Sequence, residues 1–254
     1  IDLSLINTYE LASRPSKVTA ADLAKPPAEG DTVAEFFEKL PDVLAIRSLR
    51  EVAAAIRRAR DIGKPIIWGI GGHVVKTGLS PVLIDLMERG FVTAFASNGS
   101  VLVHDTEMAL VGFTSEDVDA TLGSGDFGAA RETGEILNAA AKRAAADGIG
   151  LGEAMGRELA ACSPVNAAIS LLCSAHSARV PFTAHLTIGA DIGHFHASCD
   201  GAALGAASHH DFRLFCSLVR SMDGGGVYIN FGSAVTMPEV FLKAVTVVRN
   251  LGYG

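Results

Sequence analysis

Histidines and acidic residues recur where this sequence is predicted to leave a β-strand. Five histidines fall at or just after predicted strand ends, namely His73, His104, His185, His194 and His196. Asp105 directly follows one of them, and Asp191 lies shortly before another. An imidazole with an unperturbed pKa near ~6.5 can exchange a proton at neutral pH. We therefore select His104, Asp105, Asp191 and His194 as candidate catalytic residues, although each histidine could instead be a hydrogen-bonded, partly buried side chain.

The segment His194-Phe195-His196 raises a second possibility. If it is extended, both imidazoles point to one side, and Asp191 with His104 could complete the ligands of a metal-dependent hydrolase. An isolated pair of this kind lacks the spacing of third and fourth ligands that is typical of zinc sites. We therefore predict no metal and keep the hydrolase as an alternative function.

Glycine-bearing turns follow each of the predicted strands. They are Gly69-Ile70-Gly71-Gly72-His73, Ser97-Asn98-Gly99-Ser100, Thr187-Ile188-Gly189-Ala190-Asp191 and Phe231-Gly232-Ser233-Ala234. Glycine lets a phosphate or a ribose approach the backbone without a clash with Cβ, although tight turns also need glycine for their own sake. Together the turns predict a nucleotide-sized cleft, with Gly71, Gly232 and Ser233 among its cofactor-binding residues.

The first turn does not fit the usual dinucleotide fingerprint. After Gly69 and Gly71, the position of the third glycine in GxGxxG is occupied by Val74. The acidic residue expected about 20 residues further on is also missing, because the second strand runs into Ser97-Asn98-Gly99. The sequence therefore disfavours an ordinary Rossmann dehydrogenase.

The elements that would position these residues alternate along the chain. Short apolar segments without alternation predict buried strands at 65–70, 92–96, 180–186 and 227–231. Apolar residues at helical spacing predict helices at 32–44, 49–62, 80–89, 101–110, 129–147, 151–161, 167–175, 211–222 and 239–251. Ser208-His209-His210-Asp211 is interpreted as the capped start of one of them. This order predicts a doubly wound, mostly parallel, three-layer α/β/α sheet over residues 31–254, preceded by an N-terminal arm at 1–30.

Composition narrows the class of partner. A formal net charge of −7 argues against nucleic acid or an anionic membrane as the main partner and favours a small-molecule substrate. The four cysteines form no CxxC pair, which is typical of reduced thiols in a cytoplasmic protein. No apolar run reaches the ~18 residues of a membrane span. A mean hydropathy of +0.32 suggests apolar surface buried between subunits, so we expect a homo-oligomer, a dimer or a tetramer.

Residues 65–110 resemble the deoxyhypusine synthases in the order and spacing of their strands and turns. His73 to Pro81, with His104-Asp105, is especially similar to the bacterial deoxyhypusine-synthase-like proteins of unassigned function. The resemblance implies an NAD-binding, Rossmann-like α/β domain, usually a tetramer. Carried over to this sequence, it places the cofactor against Gly72, His73, Lys76, Ser97, Asn98 and Gly99.

This chain also departs from that family. Leu102-Val103 stand where the family has paired carboxylates, and Gly232-Ser233-Ala234 lack the family's polyamine-handling histidine. The segment with the imine-forming lysine has no counterpart before Gly254. We therefore expect an NAD-dependent transferase or oxidoreductase that acts on an amine or alcohol and is not deoxyhypusine synthase itself. A nucleotide-binding oligomer without catalysis is the other alternative.

Overall fold

Four short apolar strands form a single parallel sheet in the structure, a computed structural model that describes residues 1–253. The strands are β1 (Ile66–Ile70), β2 (Ala94–Asn98), β3 (Phe182–His185) and β4 (Val227–Phe231), in the order β3-β2-β1-β4. Trp68 of β1 pairs with Phe95 of β2 and with Ile229 of β4. Because every pairing is parallel and helices follow each strand, the predicted doubly wound α/β fold is confirmed.

Eleven α-helices surround the sheet or precede it within residues 1–253. They are α1 (Val33–Lys39), α2 (Leu44–Asp61), α3 (Gly72–Lys76), α4 (Ser80–Glu88), α5 (Gly99–Val111), α6 (Val118–Thr121), α7 (Arg131–Asp147), α8 (Leu151–Ala161), α9 (Leu171–Ala178), α10 (Gly201–Ser221) and α11 (Thr236–Asn250). None of the helices in this part of the chain combines the length and the apolar character that a bilayer crossing needs.

The sheet buries a different set of side chains on each face. Phe95 and Ile70 belong to the core that α4, α5, α7, α8 and α9 cover. Ile67 and Ala96 belong to the core that α11 and the C-terminal half of α10 cover. Successive residues of a strand point to opposite faces, so a strand in the middle of three layers must be apolar throughout.

The predictions for the start of α10 and for the segment after β1 are wrong. The helix predicted from Asp211 begins at Gly201, where the Asp200 side chain accepts hydrogen bonds from the amides of Ala202 and Ala203. The prediction missed its first turns because their glycines and alanines carry almost no apolar periodicity. Asp211 therefore lies inside α10, where it is buried and does not cap that helix. The segment after β1 was predicted as a turn and forms the short helix α3.

The chain divides into a compact unit Ile1–Ala55 and a second unit that begins at Ile56. Within the first unit no side chain is buried, and residues 1–30 contain only three short 3-10 helices. Helix α1 begins with a capping box, in which the hydroxyl of Thr32 accepts from the amide of Glu35 and the Glu35 carboxylate accepts from the amide of Thr32. The sheet and the candidate site lie in the second unit, and the predicted arm at 1–30 and domain at 31–254 stay a prediction.

Candidate functional site

The carboxyl ends of β1 and β4 meet with their backbones in contact. The amide of Gly71 donates to the carbonyl of Phe231 over 3.2 Å. A Cβ on Gly71 would lie 2.1 Å from the carbonyl oxygen of Gly232, so only glycine allows this approach. The chain runs from β1 outward through β2 to β3 and then returns to the other side of β1. The junction of β1 and β4 is therefore the topological switch point, where ligands bind in folds of this type.

The start of α5 lies beside the same edge of the sheet. Asn98 takes the N-cap position in an extended conformation but makes no capping hydrogen bond, because its side-chain oxygen accepts from the hydroxyl of Ser100 over 3.0 Å. The first amides of α5 are thus left without a side-chain cap, and the positive end of the helix dipole favours an anion there.

Two further glycines bring the remaining turns together. A Cβ on Gly72 would lie 2.6 Å from Oγ of Ser100, and a Cβ on Gly99 would lie 2.5 Å from the carboxyl carbon of Asp191. The first contact joins the turn after β1 to α5, and the second joins α5 to the turn after β3. All of the glycine-bearing turns that the sequence singled out therefore converge on one edge of the sheet.

A cavity of about 250 Å³ opens between the start of α5, the end of α3 and the turn after β3, with Ser100, Lys76 and Asp191 in its lining. Its ionisable lining consists of Lys76, His104, Glu107, Glu116 and Asp191. Phe127 and Ile192 contribute apolar wall. The cavity adjoins a second, more open space of about 550 Å³ on the outer side of α5, with Glu107 and Glu116 lining both. The site therefore combines a proton-exchanging imidazole, one ammonium group and several carboxylates with space for a small molecule.

A larger cavity lies elsewhere in the structure. A space of about 690 Å³ lies at the amino end of β3, between Pro181, His176 and Arg157. In a parallel sheet, the turns and helix N-termini that follow the strands lie at the carboxyl ends of the strands, and ligands bind at that edge. We therefore assign the candidate site to the smaller cavity at the carboxyl ends.

His104 is the best-placed proton acceptor in this cavity. Its Nδ1 lies 2.8 Å from the hydroxyl of Thr114, and the hydroxyl in turn donates to the carboxylate of Glu107 in a very short contact. Burial lowers the pKa of His104, and the positive charges of Lys76 and His73 lower it further. The ring is therefore neutral at pH 7 and can accept a proton.

The side chains of Asp191 and His194 each accept a hydrogen bond from an amide of the turn after β3. The amide of Thr187 donates to the Asp191 carboxylate over 2.9 Å, and the amide of Gly189 donates to Nδ1 of His194 over 3.0 Å. Burial raises the pKa of Asp191, although that hydrogen bond and the charge of His194 oppose the shift. Nε2 of His194 is buried and has no hydrogen-bond partner within residues 1–253. The structure thus brings Asp191 into the cavity wall with His104, whereas His194 does not line the cavity.

Asp105 occupies a different environment. Its carboxylate is buried and accepts from the hydroxyl of Ser170 at 2.6 Å and from the amides of Leu171 and Leu172 at 2.8 and 2.9 Å. These donors belong to the start of α9, so Asp105 caps that helix from the side of α5. Burial raises its pKa, and the three hydrogen bonds act in the opposite direction. The structure does not bring Asp105 together with the other predicted catalytic residues.

The remaining predicted cofactor residues fall into two groups. His73 and Lys76 are exposed on α3 and can reach a ligand at the site. Ser97 is fully buried inside the sheet, and Ser233 is buried with its hydroxyl accepting from the amide of Met237 over 3.1 Å. Ser233 therefore caps the start of α11 beside the switch point, where its Cα would lie 3.2 Å from a Cβ on Gly71.

The two histidines of the HxH segment are not arranged as metal ligands. Residues Ile192–Phe195 form a 3-10 helix, so the segment is not extended. Nε2 of His196 lies 3.0 Å from the carbonyl of Gly128, whereas Nδ1 of His194 accepts from the amide of Gly189. Over residues 1–253, no three His, Cys, Asp or Glu side chains are grouped so that they could hold a metal ion. No feature of the structure therefore favours the metal-dependent hydrolase.

Two residues of the site, Glu107 and Thr114, are not among the candidates selected from the sequence. A signal existed for Glu107, because residues three apart on a helix share a face and His104 is predicted to lie on the same helix. No sequence signal places Thr114 beside His104, since that contact depends on how the chain reverses after α5.

Comparisons of the sequence with protein families and with curated proteins gave no match. Among solved structures, the chain is similar to an alanine mutant of AgrE in its binary complex with L-arginine, with a TM-score of 0.50 and 19% identity over 78% of this chain and 26% of that one. The ternary complex of AgrE with ornithine and NAD+ gives a TM-score of 0.42 and 20% identity over 78% of this chain and 29% of that one. A conserved LOR/SDH protein from Methanococcus maripaludis S2 gives 0.47 and 12% identity over 90% of this chain and 58% of that one.

The similarity to AgrE at a TM-score of 0.50 identifies the fold as a Rossmann-like α/β domain. At 19% identity it shows nothing more specific. The chain spans about a quarter of the length of AgrE. No family model matches the chain, so the resemblance to deoxyhypusine synthases stays a prediction.

Proposed function

We propose that this chain binds NAD or a related dinucleotide at the carboxyl edge of its sheet and is part of an enzyme that oxidises an amine or an alcohol. The observation that carries the proposal is the backbone contact of Gly71 with Gly232 at the switch point between β1 and β4. This contact joins the turns after β1 and β4 at the switch point, where dinucleotides bind in folds of this type with helix amides on their phosphates. The uncapped start of α5 lies at the same edge and supplies such amides.

Each residue of the site has a role in this proposal. Lys76, exposed on α3 at the cavity rim, pairs with a phosphate or with a substrate carboxylate. Asp191 offers an acceptor to a hydroxyl or an amine from the turn after β3. His104, neutral because of its lowered pKa, accepts the proton that leaves the substrate oxygen or nitrogen. When bound, NAD supplies the acceptor for the hydride that leaves the adjacent substrate carbon.

The partner in this proposal is a small molecule, and the chain works as a homo-oligomer. Large apolar side chains remain exposed in the second unit, including Val235 (71%), Leu242 (55%) and Leu251 (66%). Apolar surface of this kind favours burial against another subunit. Sedimentation equilibrium of the purified chain tests the assembly, and a monomer at all micromolar concentrations would exclude it.

The cofactor part of the proposal is tested by titrating NAD+ into the protein. The chain has a single tryptophan, Trp68, whose ring packs edge-on against Phe231 at a centroid distance of 5.6 Å. Because Trp68 lies in β1 and Phe231 ends β4, the fluorescence of Trp68 reports on the switch point. We expect saturable quenching at micromolar to low millimolar NAD+, with calorimetry giving the same dissociation constant. No binding at millimolar NAD+ would remove the proposal.

A glycine variant links the binding to the switch point. In Gly71→Ala the new methyl group would overlap the carbonyl of Gly232, so the two turns must separate and NAD+ binding should be lost. The matched control is Gly205→Ala, because a Cβ at that position in α10 meets no other atom within 4 Å. Circular dichroism shows whether each variant is folded. Unchanged NAD+ affinity in a folded Gly71→Ala would place the cofactor elsewhere.

A further inference from the structure

A continuous set of hydrogen bonds leads from the imidazole of His104 to a second helix. Thr114 contacts Nδ1 of His104 at 2.8 Å and donates to one oxygen of the Glu107 carboxylate. The hydroxyl of Thr133, on α7, donates to the other oxygen of Glu107 over 3.3 Å. Both oxygens of the carboxylate are therefore fixed, one from each side.

The fold brings Thr114 back to the helix that it has just left. Helix α5 ends at Gly112, which takes the left-handed conformation with φ of +79° and lets the chain reverse. His104 and Glu107 lie three residues apart and so share a face of α5. After the reversal, the hydroxyl of Thr114 lies between the two side chains on that face.

The direction of each hydrogen bond follows from the number of protons available. A carboxylate can only accept, so the single hydroxyl proton of Thr114 goes to Glu107. The Thr114 oxygen is then an acceptor, and His104 must donate to it from Nδ1. In a neutral imidazole the other nitrogen, Nε2, is left without a proton. Nε2 has no hydrogen-bond partner within the described residues, and the ring lines the cavity.

We propose that Thr114 and Glu107 are positioning residues that hold His104 in the Nδ1–H tautomer, with Nε2 free to accept a proton from a substrate in the cavity. After transfer the imidazolium would keep its Nδ1–H on Thr114, and Glu107 would lie one hydroxyl away from the new positive charge. This inference rests on the proposed function for the identity of the proton donor. The tautomer itself is a property of the chain without any ligand.

Long-range nitrogen–proton NMR spectra of the ¹⁵N-histidine-labelled protein at pH 7.5 test the inference directly. The His104 signals are assigned by their loss in His104→Gln. We expect wild-type His104 to show a protonated Nδ1 and an unprotonated Nε2. In Thr114→Val, which keeps the shape but removes the hydroxyl, we expect the Nδ1–H form to be lost. In Thr114→Ser, which restores the hydroxyl, we expect it to return.

Two further variants separate this role from general damage to the fold. Thr246→Val is the matched control, because Thr246 is exposed on α11 and bonds only to the carbonyl of Leu242. Glu107→Gln removes the charge from the acceptor and should reduce the Nδ1–H fraction even if Thr114→Val does not fold. A wild-type Nε2–H tautomer, or an unchanged Nδ1–H signal in both Thr114→Val and Glu107→Gln, would overturn the proposal.

The result is distinguishable from the outcome of the NAD+ titration. If the wild-type protein fails to bind NAD+ but keeps the Nδ1–H tautomer in a Thr114-dependent way, the proposed cofactor is wrong and the positioning role stands. If NAD+ binds and the tautomer does not depend on Thr114, the cofactor stands and the positioning role is wrong.

Discussion

Two carboxylates two residues apart on α5 have opposite surroundings. Asp105 points away from the cavity into the contact with α9, where three donors surround it. Glu107 lies on the same helix face as His104 and lines the cavity. The helix turns by about 100° per residue, so a step of three returns to the same face whereas a step of one does not. Asp105 follows His104 directly in the sequence, but Glu107 is the carboxylate that lies beside His104 in the structure.

A second pair shows the same contrast at β3. Asp211, inside α10, accepts from the amide of Gly152 at the start of α8 and from the amide of Ala184 in β3, at 2.9 and 2.8 Å. It thereby caps one helix and satisfies an amide at the edge of the sheet. Asp191, after the same strand, accepts a single amide hydrogen bond and borders the cavity. We call Asp105 and Asp211 the capping carboxylates, and Glu107 and Asp191 the cavity carboxylates.

The capping carboxylates hold elements together, and the cavity carboxylates are available to a ligand. Mutations whose effects on stability and on ligand binding are measured separately therefore test this difference between the two kinds of carboxylate. The largest effect is expected for Asp105→Ala, which leaves the hydroxyl of Ser170 and two amides of α9 without an acceptor. We expect the free energy of unfolding to fall by about 3 kcal/mol, measured by urea denaturation.

The control for this change is Asp85→Ala. Asp85 is exposed on α4 and pairs only with Arg89, so its loss should change the free energy of unfolding by less than about 0.5 kcal/mol. An effect of Asp105→Ala no larger than that of the control would contradict the capping role.

The next effect is a change in how stability depends on pH. Burial raises the pKa of Asp211 from 3.8 to about 7, so this group favours the folded state at low pH and loses that contribution as the pH rises toward 7. Burial lowers the pKa of His185 from 6.5 to about 4, so its contribution is lost as the pH falls from 6.5 toward 4. Because the two slopes are opposite, wild-type stability should vary little across this range.

In Asp211→Asn, the dependence of the free energy of unfolding on pH should come from His185 alone. We expect its free energy of unfolding to fall by up to about 3 kcal/mol on acidification from pH 7 to pH 4, measured by urea unfolding at each pH. Asp85→Asn is the matched surface control and should keep the wild-type profile. If wild type and Asp211→Asn both lost stability on acidification to the same extent, folding would not raise the pKa of Asp211.

A smaller effect, on binding only, is expected for Lys76→Ala. Loss of the ammonium group at the cavity rim removes one charge-assisted contact to a phosphate. We expect the dissociation constant for NAD+ to rise about tenfold, which corresponds to about 1.4 kcal/mol, without a change in stability. Lys243→Ala is the control, because Lys243 is exposed and bonds to Glu239 on the surface of α11. Equal NAD+ affinities of the two variants would remove Lys76 from the site.

The smallest of these expected effects is that of Asp191→Asn on the free energy of unfolding. Burial raises the pKa of Asp191, so the folded state holds this carboxylate at some cost, and asparagine keeps an acceptor for the amide of Thr187. We expect a free energy of unfolding within about 0.5 kcal/mol of wild type, or slightly higher. A loss as large as that in Asp105→Ala would mean that Asp191 is also a capping carboxylate.

Much of the fold could be predicted because its signals are local. The apolar composition of Ile66–Ile70 predicts that this strand is buried. The bounds of β4 are those that its apolar run predicts. The predicted helix at 151–161 coincides with α8. The start of α10 could not be predicted in this way, because its capping residue Asp200 precedes a run of small residues without a clear apolar face.

The sequence by itself determined that the strands end in glycine-bearing turns and that His104 and Asp191 follow them. Those are consequences of chain order, since every strand of a parallel sheet leaves at the same edge. Only the tertiary structure decided which carboxylates face the cavity and which cap a helix, because that depends on what packs against each side of α5 and α10. It also decided that β1 lies beside β4, so that Gly71 meets Gly232, and that the chain after Gly112 returns Thr114 to His104. Contacts between segments far apart in sequence leave no trace in the spacing of residues within either segment.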